Sequence, residues 1–197
     1  MSRIKLDNKY KAIVIGGSAG SFQGISHILS KIPKELPLPI ILSMHRLKHV
    51  PHGFMEALSI KSIKEVIEPY DKEAIKHGKV YLAPANYHLS MELGNYFSLS
   101  TEEMVHNSRP SIDVTLSSAA YVYKEKLIGI LLSGANRDGA DGMKQISEKG
   151  GLTIVQDPEE CMISTMPRAA LSVTTIDYVL KIEQIVDFIT ELNLYYK

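Results

Sequence analysis

Short runs of Ile, Val and Leu recur at Ala12–Ile15, Pro39–Leu42, Leu127–Leu132 and Leu152–Val155, each bounded by Gly, Pro, Ser or Asp. Apolar runs of this length between turn-forming residues predict strands buried on both faces. Amphipathic stretches lie between several of them. Phe22–Leu29 places Ile25, Ile28 and Leu29 on one helical face, and Ile112–Tyr123 is preceded by Ser111, a residue type that caps helix N-termini. Buried strands alternating with helices predict a parallel sheet covered on both sides. The tail from Lys181 to Leu194 carries Ile182, Ile185, Val186, Ile189 and Leu192 at helical spacing and predicts a closing helix. From His77 to Ser100 the texture changes: short alternating segments broken at Pro84, Asn86 and Gly94-Asn95 predict an antiparallel meander or hairpin inserted beside the sheet. The fold class expected is α/β, a three-layer sandwich around a mainly parallel, doubly wound sheet with an antiparallel hairpin insertion. With no internal repeat and no linker-like segment, one domain over residues 1–197 is expected.

Composition narrows the function classes. The chain has 197 residues, 45% of them hydrophobic, with 22 basic against 22 acidic side chains. Balanced charge gives no reason to expect nucleic acid as a partner. No apolar run approaches the roughly 20 residues of a membrane span, so membrane insertion is not expected. The N-terminus lacks a signal-like apolar stretch and the chain has a single cysteine, Cys161, which together point to a reducing cytoplasm.

In an open parallel sheet, ligands gather outside the carboxyl ends of the strands. Three such ends carry reactive residues here: Gly16-Gly17-Ser18-Ala19-Gly20-Ser21, Ser43-Met44-His45-Arg46, and Ser133-Gly134-Ala135-Asn136-Arg137-Asp138-Gly139. Gly16-x-Ser18-x-Gly20 has the spacing of a nucleophile elbow, a sharp strand-to-helix turn that exposes a serine hydroxyl. A glycine-rich turn of this kind also serves phosphate binding. The dinucleotide pattern Gly-x-Gly-x-x-Gly is broken by Ser18, however, and the second strand ends at His45 instead of an acidic ribose ligand. Ser18, His45 and Asp138 could form a nucleophile, a base and a base-orienting carboxylate. Asp141 competes with Asp138 for the last role, and Asp138 could instead cap the following helix.

These segments, in this order, resemble the catalytic domain of the chemotaxis protein-glutamate methylesterases (CheB-type). The resemblance runs from Ala12 to about Asp177. It includes IGGSAGS at Ile15 to Ser21, MHR at Met44 to Arg46 with PHGF at Pro51 to Phe54, and HGKVYLAPANYH at His77 to His88. It continues through RPSIDVTLSSAA at Arg109 to Ala120, SGANRDGADGM at Ser133 to Met143 and QDPEECMISTMPRAA at Gln156 to Ala170. The resemblance implies that Ser18, His45 and Asp138 are the catalytic triad, which selects Asp138 over Asp141. It further implies an oxyanion and substrate-binding surface drawn from Ala19, Gly20, Met44, Arg46, Arg109, Ala135 and Arg168. The implied reaction hydrolyses glutamate methyl esters on methyl-accepting chemoreceptor proteins and releases methanol, with glutamine deamidation as a related activity and no metal or organic cofactor.

Departures from the family pattern bear on that expectation. Thr usually follows the nucleophile and Met usually stands three residues before the aspartate, where this chain has Ala19 and Ala135. A weakly active signalling or scaffold module that binds receptor helices is the alternative these changes suggest, although a backbone N–H at Ala135 would survive the substitution. Family members also usually carry an N-terminal receiver domain. Here the first core strand starts about a dozen residues from Met1, so a stand-alone esterase or an excised catalytic domain is expected. The loop Ser43 to Gly53, with His45, Arg46, Lys48, His49 and His52, reads as a basic surface suited to a glutamate-rich partner, or as an ordinary solvated loop. His49-x-x-His52 lacks a third ligand at metal-site spacing, and Cys161 reads as a packing residue rather than a nucleophile.

Overall fold

The computed structural model describes residues 6, 7, 9–46 and 53–196. Seven strands form one sheet in the order β3-β4-β2-β1-β7-β8-β9, and every neighbouring pair in it is parallel. In chain order these are β1 (Ala12–Gly17), β2 (Ile40–Met44), β3 (Val66–Ile67) and β4 (Val80–Leu82), then β7 (Leu127–Leu131), β8 (Leu152–Gln156) and β9 (Tyr178–Leu180). A separate antiparallel ribbon pairs β5 (His88–Glu92) with β6 (Tyr96–Ser100). The helices are α1 (Phe22–Lys31), α2 (Phe54–Lys61), α3 (Ile112–Tyr123), α4 (Ala140–Glu148), α5 (Thr165–Val173) and α6 (Ile182–Asn193).

Alternation along the strands divides the core in two. Ile13, Ile15, Ile40, Leu42, Ile128, Ile130 and Ile154 pack toward Ile25, Ile28 and Leu29 of α1, Leu58 of α2, and Ile185 and Ile189 of α6. Ala12, Val14, Ile41, Leu127, Leu131 and Val155 pack on the other face, against Leu116 of α3, Met143 of α4, Met166 of α5, and Leu89 and Phe97 of the ribbon. Successive side chains of a strand point to opposite faces, so a central strand covered twice needs apolar residues throughout. That explains the unbroken runs in the sequence.

The strands from 12, 40, 127 and 152, the helices at 22–31 and 112–123, and the closing helix all form where the sequence predicts them, and Ser111 caps α3 by accepting the Val114 N–H. The hairpin is narrower than 77–100, because Val80–Leu82 leaves the insertion and pairs with β2 in the main sheet. Among the described residues no helix is long and apolar enough to cross a membrane.

Chain order sets the location of the site. After β1 the chain moves outward through β2, then returns to place β7 on the other side of β1. The crevice at such a reversal lies outside the carboxyl ends of the central strands, and the segments ending β2, β1 and β7 carry His45, Ser18 and Asp138.

Candidate active site

Ser18 follows β1 in a turn tied down from several directions. Its N–H donates to Ser133 O at 2.9 Å, its carbonyl accepts the Ser21 N–H at 3.0 Å, and the same carbonyl accepts the Ser21 hydroxyl at 2.7 Å. Gly20 has φ +84°, and a Cβ there would lie 2.7 Å from Ser133 Oγ and 2.8 Å from Met162 Cβ. Both the backbone conformation and the space therefore require glycine. The Ser133 hydroxyl lies 2.9 Å from Ala19 O and 3.0 Å from Ile163 O, and it accepts the Ile163 N–H at 3.1 Å. One hydroxyl thus knits the elbow to the segment before α5.

Ser18 Oγ stands 3.0 Å from His45 Nδ1, and His45 Nε2 stands 2.7 Å from Asp138 Oδ2. His45 retains 16% side-chain exposure while Asp138 is fully buried. A carboxylate accepts only, so Nε2 carries the proton and Nδ1 presents its lone pair to the Ser18 hydroxyl. The ring edges are used in the opposite sense to the chymotrypsin template, in which Nε2 faces the serine.

Asp138 sits at the N-terminus of α3. Its Oδ1 accepts the Ser111 hydroxyl and the Asp113 N–H, each at 2.9 Å, and its Oδ2 accepts the Ile112 N–H at 2.8 Å beside the His45 bond. Burial alone would raise its pKa. The hydrogen bonds from His45, Asp113, Ile112 and Ser111 reverse that and hold the carboxyl below the ordinary range, so it stays ionised. A helix N-terminus offers unpaired N–H groups and a positive dipole end, the environment an anion needs once it leaves water.

Further residues, absent from the sequence-based candidates, support this cradle. Thr115 Oγ1 lies 3.0 Å from both Ser43 Oγ and Leu89 O, joining α3 to β2 and to β5. The buried Asp113 accepts the Gly142 N–H at 2.7 Å and faces His106 Nε2 at 3.1 Å. Burial, reinforced by Asp138 and Asp141, pushes Asp113 up to about 6. His106, Asp113 and Asp141 bring possible ligand atoms within 4.8 Å of one another, with Asp141 also paired to Arg137 at 3.2 Å. Residues this far apart in sequence give no spacing signal by which reading could have assembled them.

The other sequence-based candidates are placed as follows. Ala19, Gly20 and Ala135 are exposed beside the elbow and on the loop after β7. Among the described residues the Ala19 and Ala135 N–H groups have no internal acceptor. Met44 does not line the site: it is 2% exposed and belongs to the core. Arg46 also departs from expectation. Its side chain is 2% exposed, ion-pairs with Glu68, donates to Ala83 O at 3.2 Å and lies 5.2 Å from the Phe54 ring centroid, so its charge is spent inside the fold. Arg109 donates to Thr101 O at 2.6 Å, Glu102 O at 2.7 Å and Asn86 Oδ1 at 2.9 Å, clamping the insertion. Arg168 keeps 58% side-chain exposure at the start of α5 while pairing with Glu159 at 2.6 Å. Burial and the charges of Glu160 and Asp157 hold the Cys161 thiol at about 11, so it is not poised as a thiolate nucleophile. Lys48, His49 and His52 lie outside the described residues.

A doubly wound α/β fold with a serine, an imidazole and a buried carboxylate hydrogen-bonded in series across neighbouring strand ends has the arrangement found in serine hydrolases. Comparison with known proteins gives the particular family. The CheB methylesterase family matches residues 13–189, and the chain belongs to that family. A Leptospira interrogans protein, named provisionally as a protein-glutamate methylesterase/protein-glutamine glutaminase, is 46% identical over 93% of this chain and 95% of its own length. The Thermotoga maritima protein-glutamate methylesterase/protein-glutamine glutaminase is 34% identical over 92% of this chain, which spans only 54% of that relative. The crystal structure of the Thermotoga maritima CheB methylesterase catalytic domain superposes with a TM-score of 0.88 at 33% identity, covering 93% of this chain and 98% of that one.

Proposed function

We propose that this chain hydrolyses glutamate methyl esters on methyl-accepting chemoreceptor proteins in the cytoplasm, with Ser18 as nucleophile, His45 as general base and then acid, and Asp138 as the carboxylate that fixes the imidazole. The observation that carries this reading is the unbroken series Ser18 Oγ to His45 Nδ1 at 3.0 Å and His45 Nε2 to Asp138 Oδ2 at 2.7 Å. As Ser18 Oγ attacks the ester carbon, its proton passes to Nδ1. The imidazolium so formed is stabilised by Asp138 through the Nε2–H. The carbonyl oxygen becomes an oxyanion. The Ser18 N–H is already committed to Ser133 O, so the Ala19 N–H, with that of Ala135, is assigned to receive it. Both are backbone donors, so alanine at these positions keeps the hole that a lost side-chain donor would have weakened. Collapse of the tetrahedral intermediate expels methoxide, which takes the proton from Nδ1 and leaves as methanol. Water then attacks the acyl-enzyme with the same nitrogen as base.

Purified protein incubated with methylated receptor fragments is expected to release methanol, and Ser18→Ala is expected to release none above background. Equal release by both proteins would refute the reading. The relatives' names pair the esterase with a glutaminase, and the same acyl-enzyme would form from a glutamine side chain with ammonia as leaving group. Ammonia release from unmethylated fragments, abolished by Ser18→Ala, would establish that second activity.

A further inference from the structure

The ribbon β5–β6 adds no strand to the main sheet, yet its first residue reaches the catalytic cradle. His88 is 2% exposed. Its Nδ1 accepts the Ser111 N–H at 3.2 Å, and its Nε2 stands 2.9 Å from Glu103 O. A backbone N–H can only donate and a carbonyl can only accept, so the ring is neutral with its proton on Nε2. The next residue, Leu89, offers its carbonyl to Thr115 Oγ1 at 3.0 Å. Two successive residues of β5 therefore grip the first turn of α3.

What they grip is the seat of Asp138. Ser111 gives its hydroxyl to Oδ1, and the next two N–H groups, of Ile112 and Asp113, complete the cradle. Ser111 is the cap residue in extended backbone conformation, with φ −96° and ψ 137°, so its own N–H lies outside the helix and needs an acceptor elsewhere. His88 is that acceptor. Without it, a buried donor has no partner, and the peptide preceding Ser111 is free to rotate toward another one, carrying the Ser111 cap with it.

We propose that His88 is a positioning residue for the hydrolytic reaction: by holding the Ser111 backbone it aims the Asp138 carboxylate at His45 and thereby fixes the ring that activates Ser18. The role of His88 rests on the triad reading above. It gives the inserted ribbon a task beyond covering the core, and it predicts that the acceptor at Nδ1 matters more than the donor at Nε2.

Three full-length variants separate these functions. In His88→Asn the amide oxygen stands where Nδ1 stands and keeps the acceptor for Ser111. In His88→Gln the longer amide reaches toward Glu103 O and keeps the donor. In His88→Leu both are lost at similar volume. Each is compared with wild type well below its melting temperature, by methanol release from methylated receptor fragments and by the rate at which a serine-directed phosphonate labels Ser18. His88→Leu is expected to lower kcat and the labelling rate about tenfold, a change of ~1.4 kcal/mol in barrier, with KM within about twofold. His88→Asn is expected to recover most of the loss and His88→Gln little of it. Should His88→Leu fail to fold, the contrast between Asn and Gln decides. A change confined to KM, equal rescue by Gln and Asn, or a His88→Leu protein as active as wild type would overturn the positioning role. If wild type itself shows no labelling beyond Ser18→Ala, the triad reading falls first and takes the role of His88 with it.

Discussion

Replacing Asp138 by asparagine tests the orientation of the catalytic ring more sharply than deleting the side chain, because the amide must choose which way to sit. With its NH2 at the Oδ2 position, it opposes the Ile112 N–H but can donate to His45 Nε2. With its NH2 at the Oδ1 position, it opposes the Asp113 N–H and also leaves the Ser111 hydroxyl proton without its acceptor. The first orientation has one fault and the second has two, so the first prevails by about 1 kcal/mol, the net worth of a hydrogen bond. In that orientation Nε2 becomes the acceptor, the ring proton moves to Nδ1, and Nδ1 can no longer take the Ser18 proton. The wrong tautomer in a serine triad costs about 10⁴ in kcat, or ~5.4 kcal/mol at 1.36 kcal/mol per decade. The opposed Ile112 N–H should also cost roughly 1–3 kcal/mol of stability, several degrees in Tm for a chain of this size. A second signature is pH. Asp138 is held below its ordinary range, so the stability it confers is complete above an unfolded carboxylate pKa of about 3.9 and is lost as pH falls through the lower folded value. Asp138→Asn should remove that acid-side loss. Methanol release, phosphonate labelling and melting curves between acid and neutral pH measure all three effects. Retention of kcat within about tenfold, in a folded protein whose Ser18→Ala counterpart is inactive, would show that Asp138 does not set the tautomer.

Gly20→Ala is expected to lower Tm and abolish labelling of Ser18, since at φ +84° the new methyl would lie 2.7 Å from the Ser133 hydroxyl that ties the elbow; an unchanged labelling rate would refute the need for that tie. Asp113→Asn is expected to raise Tm at neutral pH: with a folded pKa near 6, the wild-type carboxyl gives stability that is full below the unfolded pKa and lost as pH rises through 6. The variant's Tm should accordingly vary less between pH 4 and 6, and a lower Tm at pH 7 would contradict this. Arg168→Ala removes an exposed cation paired with Glu159, and is expected to shift stability by less than about 1 kcal/mol while raising KM for a glutamate-rich fragment a fewfold at low salt, an effect that should fade as salt is added.

How much of this was readable from sequence depends on the range of the interaction involved. Periodicity is local, so the buried runs and amphipathic faces locate β1, β2, β7 and β8 and the helices α1, α3 and α6 within a residue or two, while the shorter α2, α4 and α5 are not among the elements predicted. The edge strands β3 and β9 are only 2 and 3 residues long, too short for a periodic pattern, and β4 was hidden inside a segment of alternating texture. Ser18, His45 and Asp138 were legible because each closes a predicted strand in an order and context that resemble a known family. The cationic candidates fared differently. Arg46 and Arg109 lie in the same motifs, yet a guanidinium is as well suited to bracing carbonyls and a half-buried carboxylate as to meeting substrate, and only the fold shows that theirs are so engaged.

The support of the triad was illegible for a different reason. Ser111 reads locally as a helix cap, and it is one, accepting the Val114 N–H at 3.4 Å. The same hydroxyl also donates to an aspartate 27 residues away, at 2.9 Å. A hydroxyl can accept and donate at once, so a residue explained by a local rule can carry a second bond that no local rule predicts. The edge of the His45 ring that faces Ser18 follows from this arrangement. Asp138 is seated on α3, the approach of Nε2 is fixed by that seat, and Nδ1 is left for the nucleophile. Sequence could therefore name the three groups that the fold brings together, while the nitrogen that faces the serine and the one that faces the carboxylate follow from where a helix N-terminus places Asp138.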